Sequence, residues 1–140
     1  MIRALIVDDE PLVRERLRTL LAEHADMQIV GELGDGPSAL DAVRELTPDV
    51  VFLDIQMPGL SGLEVAEVWR SEGSLPIIIF VTAFDQFALE AFRLHALDYL
   101  TKPIDPERFA TCLDRVRELH RLANRDTLEQ RIQAVIEMHE

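Results

Sequence analysis

Ile77-Ile-Ile-Phe-Val81 is an unbroken apolar run that ends at Thr82, and most of its residues are β-branched. A short run of this kind, with no polar residue alternating in it, reads as a strand buried on both faces of a parallel sheet. Three more segments follow the same grammar. Ala4-Leu-Ile-Val7 runs into Asp8-Asp9, Val50-Val-Phe-Leu53 runs into Asp54, and Leu97-Asp-Tyr-Leu100 is followed by Thr101-Lys102-Pro103. Met27 to Gly31 is a weaker strand candidate. Helical periodicity fills the spaces between. Pro11 suits the first turn of a helix, and Val13, Leu17, Leu20, Leu21 and His24 then share one face. Gly36-Pro37-Ser38 opens a second helix with Ala39, Leu40 and Val43 inward, stopped at Thr47-Pro48. After the turn cluster Pro58-Gly59-Leu-Ser-Gly62, a third helix carries Leu63, Ala66 and Trp69 and ends near Gly73. Phe87 to Leu94 is a fourth, and Pro106 opens a fifth. Strands alternating with helices in this way imply right-handed crossovers and a doubly wound parallel sheet, with helices on both faces.

The chain has 140 residues, enough for one domain with a sizeable core. Its formal net charge is −12. Residues 1–104 hold 18 acids against 8 bases and residues 105–140 hold 8 against 6, so neither part offers the clustered cations that contact nucleic-acid phosphates. No apolar run reaches the roughly 18 residues of a membrane helix, and no signal peptide opens the chain. A single cysteine, Cys112, suits a reducing cytosol, and a cytoplasmic location is expected. The four histidines have no metal-ligand spacing.

In doubly wound sheets, ligands bind outside the carboxyl ends of the strands. Asp8, Asp9, Asp54, Thr82 and Lys102 would therefore gather at one edge. Adjacent carboxylates with a third nearby make a hard oxygen site suited to Mg²⁺. Their mutual repulsion calls for a balancing cation, which a metal and Lys102 would supply. Lys102 is the only lysine in the chain, the other thirteen basic residues being arginine. A carboxylate can attack phosphorus to form an acyl phosphate, and the charge on the transferred oxygens then needs metal, ammonium and hydroxyl around it. Glu10, beside the acidic pair, is expected to favour the positive end of the first helix.

At these residues the chain resembles the receiver domain of two-component response regulators. The matching pieces are Val7-Asp8-Asp9-Glu10, Leu53-Asp54-Ile-Gln-Met57-Pro58-Gly59, Val81-Thr82-Ala83 and Tyr99-Leu-Thr-Lys102-Pro103, which together span residues 2 to about 120. The resemblance implies a flavodoxin-like strand order, 2-1-3-4-5. It implies that Asp54 accepts a phosphoryl group from a histidine kinase or a small phosphodonor, as a regulator rather than an enzyme. Mg²⁺ would be held by Asp8, Asp9, Asp54 and the backbone carbonyl of Gln56. Thr82 and Lys102 would contact the phosphoryl group, Tyr99 would be an aromatic switch turning inward with Thr82, and Lys102-Pro103 would be cis. The stretch from Thr82 to Phe92, with Ala96-Leu-Asp-Tyr-Leu100, looks like the LytR/AlgR branch, whose members usually carry a LytTR DNA-binding domain. The expectation here is a receiver over 1–120 and a helical extension or linker over 121–140. DNA would be reached only through a domain absent from this chain.

Two segments stand apart from the bland pattern. Phe87, Ala91, Phe92 and Leu94 make the fourth helix apolar nearly all round, which points either to deep burial or to a partner. The reading favoured is a homodimer through the fourth helix, the fifth strand and the fifth helix. In the tail, Leu128, Ile132, Val135 and Ile136 resume out of phase with Phe109, Leu113, Val116 and His120. Asn124-Arg125-Asp126-Thr127 marks the slip, and Asp126 or Thr127 is a candidate cap for a new helix. Two rival functions stay open: a phosphorylation-independent interaction module, and an aspartate-nucleophile phosphatase. Phosphatases of that kind often place a second acid two residues after the nucleophile, where this chain has Gln56.

Overall fold

The computed structural model describes residues 1–73, 75–83, 93 and 95–138. Its strands are β1 (Ile2–Val7), β2 (Met27–Leu33), β3 (Val50–Leu53), β4 (Ile77–Thr82) and β5 (Asp98–Thr101). Its helices are α1 (Pro11–Ala22), α2 (Gly36–Leu46), α3 (Gly62–Glu72) and α4 (Pro106–Met138), the last being the fifth helix of the sequence pattern. All strand pairings are parallel, in the order β2-β1-β3-β4-β5. The expected doubly wound five-stranded sheet is therefore the fold.

Each strand sends alternate residues to two apolar layers, which is why the runs do not alternate in polarity. Ala4, Ile6, Phe52, Ile79 and Val81 pack with Leu17, Leu20 and Leu21 of α1 and with Phe109, Leu113 and Val116 of α4. Leu5, Val7, Leu53, Ile78 and Phe80 pack with Ala39 and Val43 of α2 and with Val65, Ala66 and Trp69 of α3. Phe52 and Phe109 stack across the first layer at 5.5 Å between centroids. Cys112 is buried there, and burial together with the neighbouring Asp98 pushes its thiol up to about 12, so it is a packing residue.

Local chemistry sets the helix ends. Pro11 stands in the first turn of α1, where its missing N–H costs nothing. The Asp35 carboxylate accepts a hydrogen bond from the Ser38 amide at 2.7 Å, and Thr47 closes α2 in the left-handed region. Ser61 and Glu64 form a reciprocal capping box on α3, and Gly73 at φ 77° ends it.

The expected break near residues 124–127 does not occur. The final helix runs unbroken from Pro106 to Met138. Asn, Arg, Asp and Thr each lower helix propensity by only a few tenths of a kcal/mol, and no Gly or Pro interrupts them. Thr127 does not cap a new helix; its hydroxyl donates back to the Ala123 carbonyl at 3.0 Å, and Arg125 pairs with Glu129 one turn on. The phase slip is real nonetheless. Leu128, Ile132, Val135 and Ile136 are all about half exposed, on a stretch of the helix, residues 121–138, that is exposed on every face. Phe87, Ala91, Phe92 and Leu94 lie outside the described residues, as does the rest of the predicted helix over 87–94 apart from Arg93. Among the described residues no helix is long and apolar enough to cross a membrane.

Candidate functional site

Strand register builds the site. Val7, Leu53, Phe80 and Tyr99 are aligned across β1, β3, β4 and β5. The residues that follow them at the carboxyl ends are therefore neighbours in space. Asp8 follows Val7, Asp54 follows Leu53, and Thr82 ends β4. The Lys102 amide donates to the Thr82 carbonyl at 2.8 Å, which ties the β5 turn to β4. The Lys102-Pro103 peptide is cis, as the resemblance implied.

Asp8, Asp54 and Thr82 are buried. The Lys102 ammonium lies 3.0 Å from Asp8 Oδ2, 3.3 Å from Asp54 Oδ2 and 3.0 Å from Glu10 Oε1. Burial works against that charge. Its close contacts with the Asp8 and Glu10 carboxylates and the charges of Asp54 and Asp8 outweigh it, so the amine is held protonated above the ordinary lysine range. Asp54 is pushed up to about 6, first by burial and then by the negative charge of Asp8, against the pull of Lys102 and the Gln56 amide. Burial likewise raises Asp8. One ammonium is not enough for these carboxylates.

Carboxylate oxygens of Asp8, Asp9, Glu10 and Asp54 lie within 4.8 Å of one another. Asp8 Oδ2 is buried with the ammonium beside it, and no aligned hydrogen-bond donor reaches it from among the described residues. A buried anionic oxygen short of a donor, among three further hard oxygens, fits a small divalent cation such as Mg²⁺. The fit concerns Asp8, Asp9 and Asp54. Gln56 is exposed and reaches the site through its amide, which donates to Asp54 Oδ1 at 3.3 Å. Tyr99 is half-buried and packs against the layer containing Phe80.

Three features of the structure escape the sequence pattern. Glu10 stands at the N-cap position of α1, at the expected positive end of that helix, but its side chain makes no cap hydrogen bond and its carboxylate lies on Lys102. Asp98, buried in β5, is bracketed by Arg108 and Arg115 of α4 and locks that strand to the helix. Burial would raise its carboxyl, but hydrogen bonds from Arg108 and the Tyr99 amide hold it below the usual range. The third is Gly62, legible in sequence only as one member of a turn cluster.

Gly59 is the residue of that cluster in the left-handed region, at φ 80°. Gly62 is needed for space. A Cβ there would sit 2.1 Å from the Asp54 carbonyl oxygen and 2.9 Å from its carbon, against rigid backbone. The start of α3 thus rests directly on the Asp54 main chain, with the Gly62 amide donating to Ile55 at 2.8 Å. Gly62→Ala is expected to lower stability by about 2 kcal/mol or more, the upper part of the range for overpacking. Urea unfolding measures this, and a curve coincident with the parent would disprove the close contact.

Comparison with known proteins bears on this arrangement. The family described as "Response regulator receiver domain" matches residues 4–114. The chain is 52% identical over 118 residues to the transcriptional regulatory protein BtsR of Escherichia coli K12, covering 84% of this chain and 49% of that protein. It is 43% identical over 132 residues to an uncharacterized response regulatory protein of Vibrio vulnificus, covering 94% of this chain and 53% of the relative. The chain thus spans about half the length of the curated relatives it matches. Among solved structures, the response regulatory domain of mrkE from Klebsiella pneumoniae superposes with a TM-score of 0.79 at 35% identity, covering 84% of this chain and 97% of that one. The REC domain of AraT from Geobacillus stearothermophilus gives 0.77 at 33% identity, covering 87% and 98%.

Proposed function

The chain belongs to the response regulator receiver domain family, and we propose that it is a phosphorylation-controlled switch whose phosphoacceptor is Asp54. The observation that carries this reading is the placement of Asp54. Its carboxylate is buried at a strand end, 3.3 Å from the sole lysine and beside a second buried aspartate. A structural ion pair needs one acid; this one gathers several and leaves Asp54 with its proton affinity raised.

With its carboxyl at about 6, Asp54 is largely ionised near neutral pH and needs no base to become a nucleophile. One of its oxygens attacks phosphorus, the bond from phosphorus to the donor's leaving atom breaks, and the electron pair departs with the leaving group. Mg²⁺, held by Asp8, Asp9 and Asp54 with the Gln56 carbonyl, would neutralise the phosphoryl oxygens. Lys102 offers a flexible point charge to one of those oxygens, and Thr82 a hydroxyl to another. Tyr99, on the strand beside Thr82, is the candidate switch that carries the change outward, a local electrostatic event read by a two-state element.

The same reading takes a histidine kinase as donor and a second copy of the chain as partner, through the segment over 84–94, β5 and α4. Transcription is the proposed output, in line with the name of the Escherichia coli relative, and Ala96-Leu-Asp-Tyr-Leu100 favours the LytR/AlgR branch. A phosphatase is disfavoured because Gln56 stands where such an enzyme often places its second acid. Incubation with acetyl phosphate and Mg²⁺ should add one phosphoryl group by intact mass, and EDTA should suppress the addition. A folded protein that gains no mass under these conditions would overturn the proposal in favour of a phosphorylation-independent module.

A further inference from the structure

Among the described residues Lys102 has three acidic partners, and they are not equivalent. Asp8 and Asp54 are buried beneath the ammonium, with 1% and 3% of their side chains exposed. Glu10 is 59% exposed and closes on the same nitrogen at 3.0 Å. It therefore covers the ammonium on the side open to solvent, the side from which a phosphodonor must arrive. No helix cap holds the Glu10 side chain in place. What anchors the residue is its backbone, whose amide donates to Asp8 Oδ1 at 2.8 Å. The side chain can leave while the acidic pair stays put.

We propose that Glu10 is a built-in competitor for the phosphoryl group, occupying Lys102 in the unphosphorylated protein and restraining phosphorylation until it is displaced. The inference rests on Asp54 being the phosphoacceptor and specifies how loading at that site is restrained. As an Asp54 oxygen bonds to phosphorus and the leaving group departs with its electron pair, Lys102 exchanges the Glu10 carboxylate for a phosphoryl oxygen. No proton moves in the exchange. Glu10 touches neither reacting atom and acts through Lys102, so it is a positioning residue. The Glu10–Lys102 contact favours the unloaded state and opposes loading by about what a partly exposed ion pair is worth.

The test compares the parent with Glu10→Gln and Glu10→Asp, following acetyl phosphate loading by intact mass at several Mg²⁺ concentrations and two ionic strengths. Glu10→Gln keeps the backbone contacts and loses the charge; Glu10→Asp keeps the charge and loses the reach. Both are expected to load about twofold to fivefold faster than the parent at low salt, with half-saturating Mg²⁺ unchanged. The advantage of Glu10→Gln should shrink at high salt, because an exposed pair is screened. A merely structural role would shift the melting temperature and leave the salt dependence of the rate ratio flat. Equal loading by all three proteins would overturn the proposal. So would slower loading of Glu10→Gln with a higher Mg²⁺ requirement, which would make Glu10 a metal ligand. Parent-like loading of Glu10→Asp would show that charge alone acts and overturn the contact mechanism. A parent that never loads would instead bring down the assignment of Asp54 on which the inference rests.

Discussion

Asp54→Asn is expected to take up no phosphoryl group from acetyl phosphate and yet to be more stable than the parent at about pH 8 without metal. The loss of labelling follows from chemistry, since the amide has the size of the carboxylate but is not a nucleophile. The gain in stability follows from the cost of the charge. The Asp54 carboxyl stands at about 6 in the folded protein, pushed there by burial and by Asp8, against an ordinary value of 3.8. At about 1.4 kcal/mol per pH unit, the ionised group costs at most about 3 kcal/mol, and about 1–3 kcal/mol is expected. Between the two values the folded state holds more protons than the unfolded state, so stability falls as pH rises through this window and the full cost is present above about 6. The advantage of Asp54→Asn should accordingly be largest near pH 8 and shrink toward pH 4. Millimolar Mg²⁺ should narrow it by stabilising the parent, which holds the metal with one more carboxylate. Melting temperatures with EDTA or Mg²⁺, at two pH values, read all of this. Stoichiometric label on the variant would end the assignment of Asp54, and a pH-independent stability difference would end the electrostatic account.

Lys102→Met is expected to act in the opposite direction. Methionine fills much of the same volume, so the change isolates the ammonium. Lys102 is 12% exposed and is the described cation that Asp8 and Asp54 share. Its removal leaves two buried carboxylates to repel one another, and breaking a buried pair in this way costs about 3–5 kcal/mol. The raised amine is fully charged at neutral pH, so the whole of its contribution is present there and is lost only above the ordinary lysine range. The deficit should be largest from neutral pH up to the ordinary lysine range. It should fall toward pH 5, where the carboxylates take up protons instead. Mg²⁺ should restore much of the stability, because a divalent ion supplies the missing positive charge among the same oxygens. The double variant Asp54→Asn with Lys102→Met should lose less than the two single effects added, since the partners are in contact. Unfolding in urea with and without Mg²⁺ measures these terms, and an unchanged midpoint for Lys102→Met would show that the cluster does not depend on its lysine.

The strands and the place of the site were legible in the chain because parallel strands buried on both faces leave unalternating apolar runs that end abruptly. Ala4–Val7, Val50–Leu53 and Ile77–Val81 carry that mark, and each polar residue at its end falls on the same edge of the sheet. Pro11, Ser61 and Gly73 mark helix ends because capping is a matter of a few neighbouring residues. Asn124–Thr127 misled for a related reason. The slip in apolar phase is local and real, but a helix with no Gly or Pro continues through it and simply turns its apolar stripe to solvent.

The sequence by itself determined the doubly wound sheet and the gathering of Asp8, Asp54, Thr82 and Lys102, because periodicity and strand ends are local properties. Only the tertiary structure decided who touches whom: Glu10 reaching Lys102 across 92 residues, Arg108 and Arg115 closing on Asp98, and Gly62 resting against the Asp54 carbonyl. Glu10 reads locally as a residue for a helix terminus worth a few tenths of a kcal/mol. Strand register also places a mostly buried lysine beside that N-cap position, 92 residues away in sequence, and the carboxylate pairs with its ammonium.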